Sequence, residues 1–141
     1  EATPSASPFE PPQGLLDRIY NKTLDGIKVR MQVYRVCTSA ASDSIFVTAI
    51  RGSANLENWL LNLHAALVPA DIRLVDNAHA SASADKTAGD VPMVHSAWQE
   101  AAFVLSQELD LALAKEPSAS QLFFVGHSLG GALSVLLALI Q

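Results

Sequence analysis

A chain of 141 residues is the size of one domain, and with half of those residues hydrophobic it can bury a sizeable core. The net charge of −5 leaves no basic footprint, which argues against nucleic acid as a partner and makes a strongly anionic membrane surface mildly repulsive, but not an uncharged apolar one. The longest apolar stretch, Ala132 to Ile140, is too short to cross a bilayer and reads as a buried helix.

Glu1 to Gln13 carries Pro4, Pro8, Pro11 and Pro12 with Ser and Ala between them, the composition of a disordered tail or linker, so the folded domain is expected over residues 14–141. Leu15 to Tyr20 is expected to form a short helix. Asn21-Lys22-Thr23 is an N-glycosylation sequon, which favours export while leaving an intracellular location open. Ile27, Val29, Met31 and Val33 then alternate with Lys28, Arg30 and Gln32, the period of a half-exposed strand, expected near a sheet edge. Cys37, the only cysteine, can form no internal disulfide within these residues and reads as a small buried apolar side chain. Ala40 to Asp43 supplies a turn, and Ser44 to Ile50 is a more uniformly apolar strand ending at Arg51-Gly52-Ser53.

Leu56, Trp59, Leu60, Leu63 and Leu67 fall at helical spacing, with Asn55 as N-cap and Pro69 ending the helix. Ala78 to Gly89, rich in Ala and Ser, reads as a surface loop. Trp98, Ala101, Ala102, Leu105, Leu109 and Ala112 mark a second amphipathic helix that stops before Pro117. Gln121 to Val125 is a short apolar strand, and Gly131 to Ile140 is an apolar run of good helix formers. This alternation predicts an α/β architecture, a mostly parallel sheet with an antiparallel N-terminal edge strand. Ligands in such sheets sit beyond the carboxyl ends of the strands, so Ser53 and Ser128 are expected to converge on one site.

Between the last strand and the last helix lies Gly126-His127-Ser128-Leu129-Gly130, the G-x-S-x-G pattern of a nucleophile elbow. A sharp turn from buried strand to helix holds the serine in a strained backbone conformation and lifts its hydroxyl above the sheet. Glycine on either side lets helix and strand approach without a Cβ collision. His127 is fixed by the turn beside the serine and is not placed to act as its base. His64 and His79 show no ligand spacing, so neither a metal nor a cofactor is expected.

Ile50-Arg51-Gly52-Ser53, Asn58-Trp59-Leu60-Leu61-Asn62-Leu63, Val94-His95-Ser96-Ala97-Trp98 and the elbow follow one another in an order and spacing that resemble the fungal lipase family, lipase class 3. The resemblance covers most of Ile45 to Ile140 and implies a partial α/β-hydrolase fold. It implies a serine carboxylic-ester hydrolase, a lipase acting on acylglycerols or related lipid esters at a lipid–water interface, with Ser128 as nucleophile. It also implies an oxyanion hole formed by Ser53 and the backbone amide of Leu129, and a lid or substrate-contact helix bearing Leu56, Trp59, Leu60 and Leu63. Read from the residues alone, Ser53 can equally be a turn or capping serine, and the helical stripe can be permanent core. His95 matches a family position at which a structural hydrogen-bonding role is expected. Ile50 stands where the family often has phenylalanine, and Ala97-Trp98 where Gly-Phe is common, swaps that reshape an acyl pocket and leave the fold plausible.

An α/β-hydrolase takes its triad in the order serine, acid, histidine, and residues 129–141 contain neither an acid nor a histidine. The chain therefore reads as the N-terminal portion of such a domain, with at most residual activity alone and a sheet edge and apolar final helix that invite aggregation or a partner. The reading from a different class is a non-catalytic lipid-binding or regulatory truncated homologue that uses the apolar face of the Trp59 helix.

Overall fold

A computed structural model describes residues 14–38, 44–52, 66–79 and 92–141. In chain order the elements are β1 (Leu16–Leu24), β2 (Val29–Val36), β3 (Ile45–Arg51), β4 (Leu67–Pro69), α1 (Ile72–His79), β5 (Met93–His95), α2 (Ser96–Leu113), β6 (Gln121–His127) and α3 (Leu129–Ile140). The main sheet runs β1-β2-β3-β6, and β4 pairs with β5 in a separate antiparallel ribbon.

The first pair is a hairpin. Its turn is closed by the Ile27 N–H donating to the Leu24 carbonyl at 3.2 Å, and Lys28 takes φ 53° there, so β2 starts at Val29 rather than Ile27. The helix expected over Leu15 to Tyr20 is a strand: pairing runs from Leu16 opposite Val36 to Leu24 opposite Val29, with a bulge between Arg18 and Tyr20. Six residues are too few to offset the cost of helix nucleation, whereas the hairpin satisfies the same backbone groups across the sheet. Long side chains anchor this strand: Tyr20 and Lys22 both donate to Glu108 of α2, Lys22 at 2.8 Å, and Arg35 bridges Asp17 at 2.7 Å and Glu116 at 3.0 Å.

β2 lies between β1 and β3, one strand in from the edge near which it was expected, and the antiparallel N-terminal edge strand is β1. The alternation along β2 records one sheet face covered by helices; on the other, Arg30 and Gln32 are partly exposed and Tyr34 is buried. Register puts Met31 beside Ile50, Val33 beside Thr48 and Phe124, and Phe46 beside Leu122 on the covered face. Val29, Met31, Val33 and Phe46 are fully buried there with Leu105 and Leu109 of α2 and Leu133 and Leu137 of α3. Each large side chain so enclosed contributes about 1.5–3 kcal/mol. The opposite face carries the row Tyr34, Val47 and Phe123, in which Phe123 is 51% exposed.

The described sheet is mixed and mostly antiparallel, with β3–β6 its parallel pair, where a mostly parallel sheet was expected. Neighbours joined by short connections can only run antiparallel; a parallel pair needs a long crossover, which here is the stretch from β3 to β6 that contains α1 and α2. Within that crossover Leu67, expected in the helical stripe, lies in β4, and Ala78 and His79, expected in a loop, lie in α1. Asp71 starts α1 by accepting the Arg73 backbone N–H at 3.0 Å, while its own N–H donates to Gln99 of α2 at 2.8 Å. The Arg73 guanidinium returns to the Asp71 carboxylate and lies 3.5 Å over the Phe103 ring, clamping α1 to α2. Cys37 is exposed just past β2, contrary to the buried site expected, because the chain leaves the sheet there. Among the described residues no helix is long and apolar enough to cross a membrane.

Candidate active site

The site is built where β6 stops and α3 begins. β6 is apolar enough to pair along β3 and alternates Leu122 and Phe124 into the core; Gly126 and Gly130 then allow an abrupt reversal into a helix lying back on the sheet. A Cβ on Gly126 would collide with the Gly130 carbonyl and come within 2.8 Å of the Gly131 nitrogen. A Cβ on Gly130 would collide with the Ile50 carbonyl oxygen and come within 3.3 Å of the Gly52 nitrogen. Glycine is demanded at both positions by backbone, which cannot rotate away as a side chain can.

Ser128, between them, adopts φ 55° and ψ −124°, a conformation L residues rarely take. Its carbonyl accepts the Gly131 N–H at 2.9 Å and the Ala132 N–H at 3.1 Å, which ties the strained residue into the first turn of α3. Its side chain makes no capping bond to that turn, and the residue is exposed. The helix start contributes backbone N–H groups without intrahelical acceptors, Leu129 and Gly130 first among them, with the positive end of the helix dipole at the same place. Leu129 is buried and Leu133 and Leu137 continue its stripe, so the first turn is held rigidly by the core.

The parallel register brings the second strand end to the same spot. Ile50 pairs with Gly126 and Arg51 with His127, which brings Gly52 to the start of α3. A Cβ on Gly52 would stand 3.0 Å from the Leu129 Cβ and 3.3 Å from the Gly130 nitrogen. Ser53, the next residue, lies outside the described residues, as do Leu56, Trp59, Leu60 and Leu63 of the expected lid helix. His127 is exposed on β6, and the Ser128 side chain has no hydrogen bond to a histidine or carboxylate among the described residues.

His95 ends β5 and stacks on Trp98 in the first turn of α2, ring centroids 5.0 Å apart. Both imidazole nitrogens and the Trp98 indole nitrogen are buried without a partner among the described residues, so the hydrogen-bonding role expected for His95 finds no counterpart there. No cluster of metal-ligating side chains occurs among the described residues. Two contacts were not anticipated: the close approach of Gly130 to Ile50, and the Ser134 hydroxyl donating to the Gly130 carbonyl at 2.8 Å. The i, i+4 spacing of Gly130 and Ser134 was the available signal for the second.

A strained serine at a strand-to-helix turn, flanked by obligatory glycines, belongs to many esterases. The decision comes from comparison with known families, in which the model described as Lipase (class 3) matches residues 47–141. The chain belongs to the lipase class 3 family. That family is one of α/β-hydrolases, and membership implies lipase-like ester hydrolysis. No curated protein and no solved structure matches the chain.

Proposed function

We propose that Ser128 is the nucleophile of a serine carboxylic-ester hydrolase that acts on acylglycerols or related lipid esters. The observation that carries this reading is the conformation of Ser128, exposed at φ 55° on the turn between β6 and α3. Strain of about 1–3 kcal/mol persists only where surrounding structure enforces it, and here the enforcement holds an exposed serine at a helix N-terminus.

Ser128 Oγ attacks the ester carbonyl and passes its proton to a histidine oriented by an acid; the alcohol leaves, and water then releases the acyl group from the serine. The oxyanion formed in each step accepts hydrogen bonds from the Leu129 backbone N–H and from Ser53. A missing donor of this kind costs about 3 kcal/mol of transition-state stabilisation. The closeness of Gly52 to Leu129 and Gly130 supports bringing Ser53 to the oxyanion. Residues 129–141 hold no acid and no histidine, so this reading assigns the acid and base to sequence outside these 141 residues. The substrate arrives from a lipid–water interface, with Leu56, Trp59, Leu60 and Leu63 as the apolar contacts.

The test is hydrolysis of a short-chain chromogenic ester by the intact gene product. Ser128→Ala is expected to lower kcat by about 10⁵–10⁶-fold; unchanged turnover would overturn the assignment. The 141-residue chain alone is expected to show at most residual turnover, and robust Ser128-dependent hydrolysis by it would contradict the assignment of the acid and base elsewhere.

A further inference from the structure

We propose that Asn21 is an N-glycosylation site and that its sugar guards the β1 edge of the described sheet. Asn21-Lys22-Thr23 is the only N-x-S/T triplet in the chain. It falls in β1, the terminal strand of the described sheet, and all three residues are exposed.

Side chains alternate along a strand, so Asn21 and Thr23 share one face while Lys22 points to the other. The contacts identify the faces. Lys22 reaches Glu108 of α2 at 2.8 Å, which puts Lys22 on the helix-covered side and Asn21 with Thr23 on the opposite side, where both are exposed. A sugar on Asn21 therefore projects from the face away from α2, where it meets no packed helix among the described residues. The Asn21 amide is also held in a definite orientation. Its Oδ1 accepts the Arg30 Nε–H at 2.9 Å, and its Nδ2 has no partner among the described residues. The atom that would be modified is the one left over.

In the transfer, Nδ2 forms a bond to the anomeric carbon of an oligosaccharide carried on a polyprenyl pyrophosphate. The anomeric carbon–oxygen bond breaks, the lipid pyrophosphate leaves, and one amide proton is lost to solvent. The consequence for the fold follows from position. A terminal strand offers unpaired N–H and C=O groups to any other strand, and a bulky hydrophilic group on it blocks edge-to-edge pairing.

The chain is expressed behind a cleavable secretion leader in a glycosylating yeast. A parallel variant, Glu1→Asn, places a reference sequon ahead of Ala2-Thr3 to report entry into the secretory lumen. Asn21 is expected to carry a sugar that peptide N-glycosidase removes, leaving Asp at that position in the peptide map. Asn21→Gln and Thr23→Ala are expected to abolish the modification and Thr23→Ser to retain it. Molecules glycosylated at the reference sequon but bare at Asn21 would overturn the site. The enzymatically deglycosylated protein is expected to self-associate at lower concentration than the glycosylated form in light scattering; equal association would overturn the guarding role.

Discussion

Replacing Ser128 by glycine should stabilise the fold while removing its chemistry. The side chain sits at φ 55°, ψ −124°, where a Cβ costs about 1–3 kcal/mol and glycine is at ease. Glycine also widens the unfolded ensemble, which takes back about 0.4–1 kcal/mol. The net gain is about 1–2 kcal/mol. For a chain of this size that corresponds to a rise in Tm of about 3–6 °C. Ser128→Ala is the matched control, because it removes the same hydroxyl and keeps the Cβ and its strain. Since the Ser128 side chain caps nothing in the first turn of α3, hydroxyl loss has no structural cost of its own. The assay is thermal unfolding of both variants by circular dichroism, alongside ester hydrolysis. A glycine variant that melts at or below the alanine variant would refute the claim that backbone strain is held at this residue.

Gly126→Ala should act in the opposite direction, lowering stability by about 3 kcal/mol or more, because the new Cβ meets the Gly130 carbonyl and the Gly131 nitrogen, neither of which can rotate away; Gly26→Ala, with nothing within 4 Å, should shift the denaturant midpoint little. Asp71 is held at about 2, below its usual 3.8, chiefly by the hydrogen bond from Arg73. Because its folded value is depressed, its contribution is complete above about pH 4 and is lost as pH falls towards 2, so the Tm difference between wild type and Asp71→Asn should be constant near neutrality and disappear across that window. Burial, then the hydrogen bond to Glu108, raises the Tyr20 phenol well above its ordinary range. In Glu108→Gln the ultraviolet absorbance titration of Tyr20 should move down towards that of a free phenol, and the same variant should loosen β1 from α2, measured as faster amide exchange in β1.

Residues 121–141 were legible in the sequence because several local signals agree there: an apolar strand, paired glycines around a serine, and a run of helix formers. The packing of α2 was legible for a similar reason, since Ala101, Ala102, Leu105 and Leu109 repeat at helical spacing and all are buried. β1 was not legible. Leu16, Ile19 and Tyr20 have helical spacing over a few residues, and only pairing with β2, through a bulge at Arg18 and Tyr20, makes them strand. The direction of the sheet was not legible, because periodicity reports which residues face a core but says nothing of which strands are neighbours. At the site, the serine and its glycines could be read from a motif, whereas the fit of Gly130 under the Ile50 carbonyl depends on the β3–β6 register, a long-range property.

The most direct test of the account is covalent capture of the serine. The intact gene product is treated with an alkyl organophosphonate ester that mimics the tetrahedral species of ester hydrolysis, then digested and mapped by mass spectrometry. A single stoichiometric adduct is expected on Ser128, formed in step with loss of ester turnover and absent from Ser128→Ala. Loss of turnover with the adduct on another residue, or undiminished turnover with Ser128 fully modified, would contradict it.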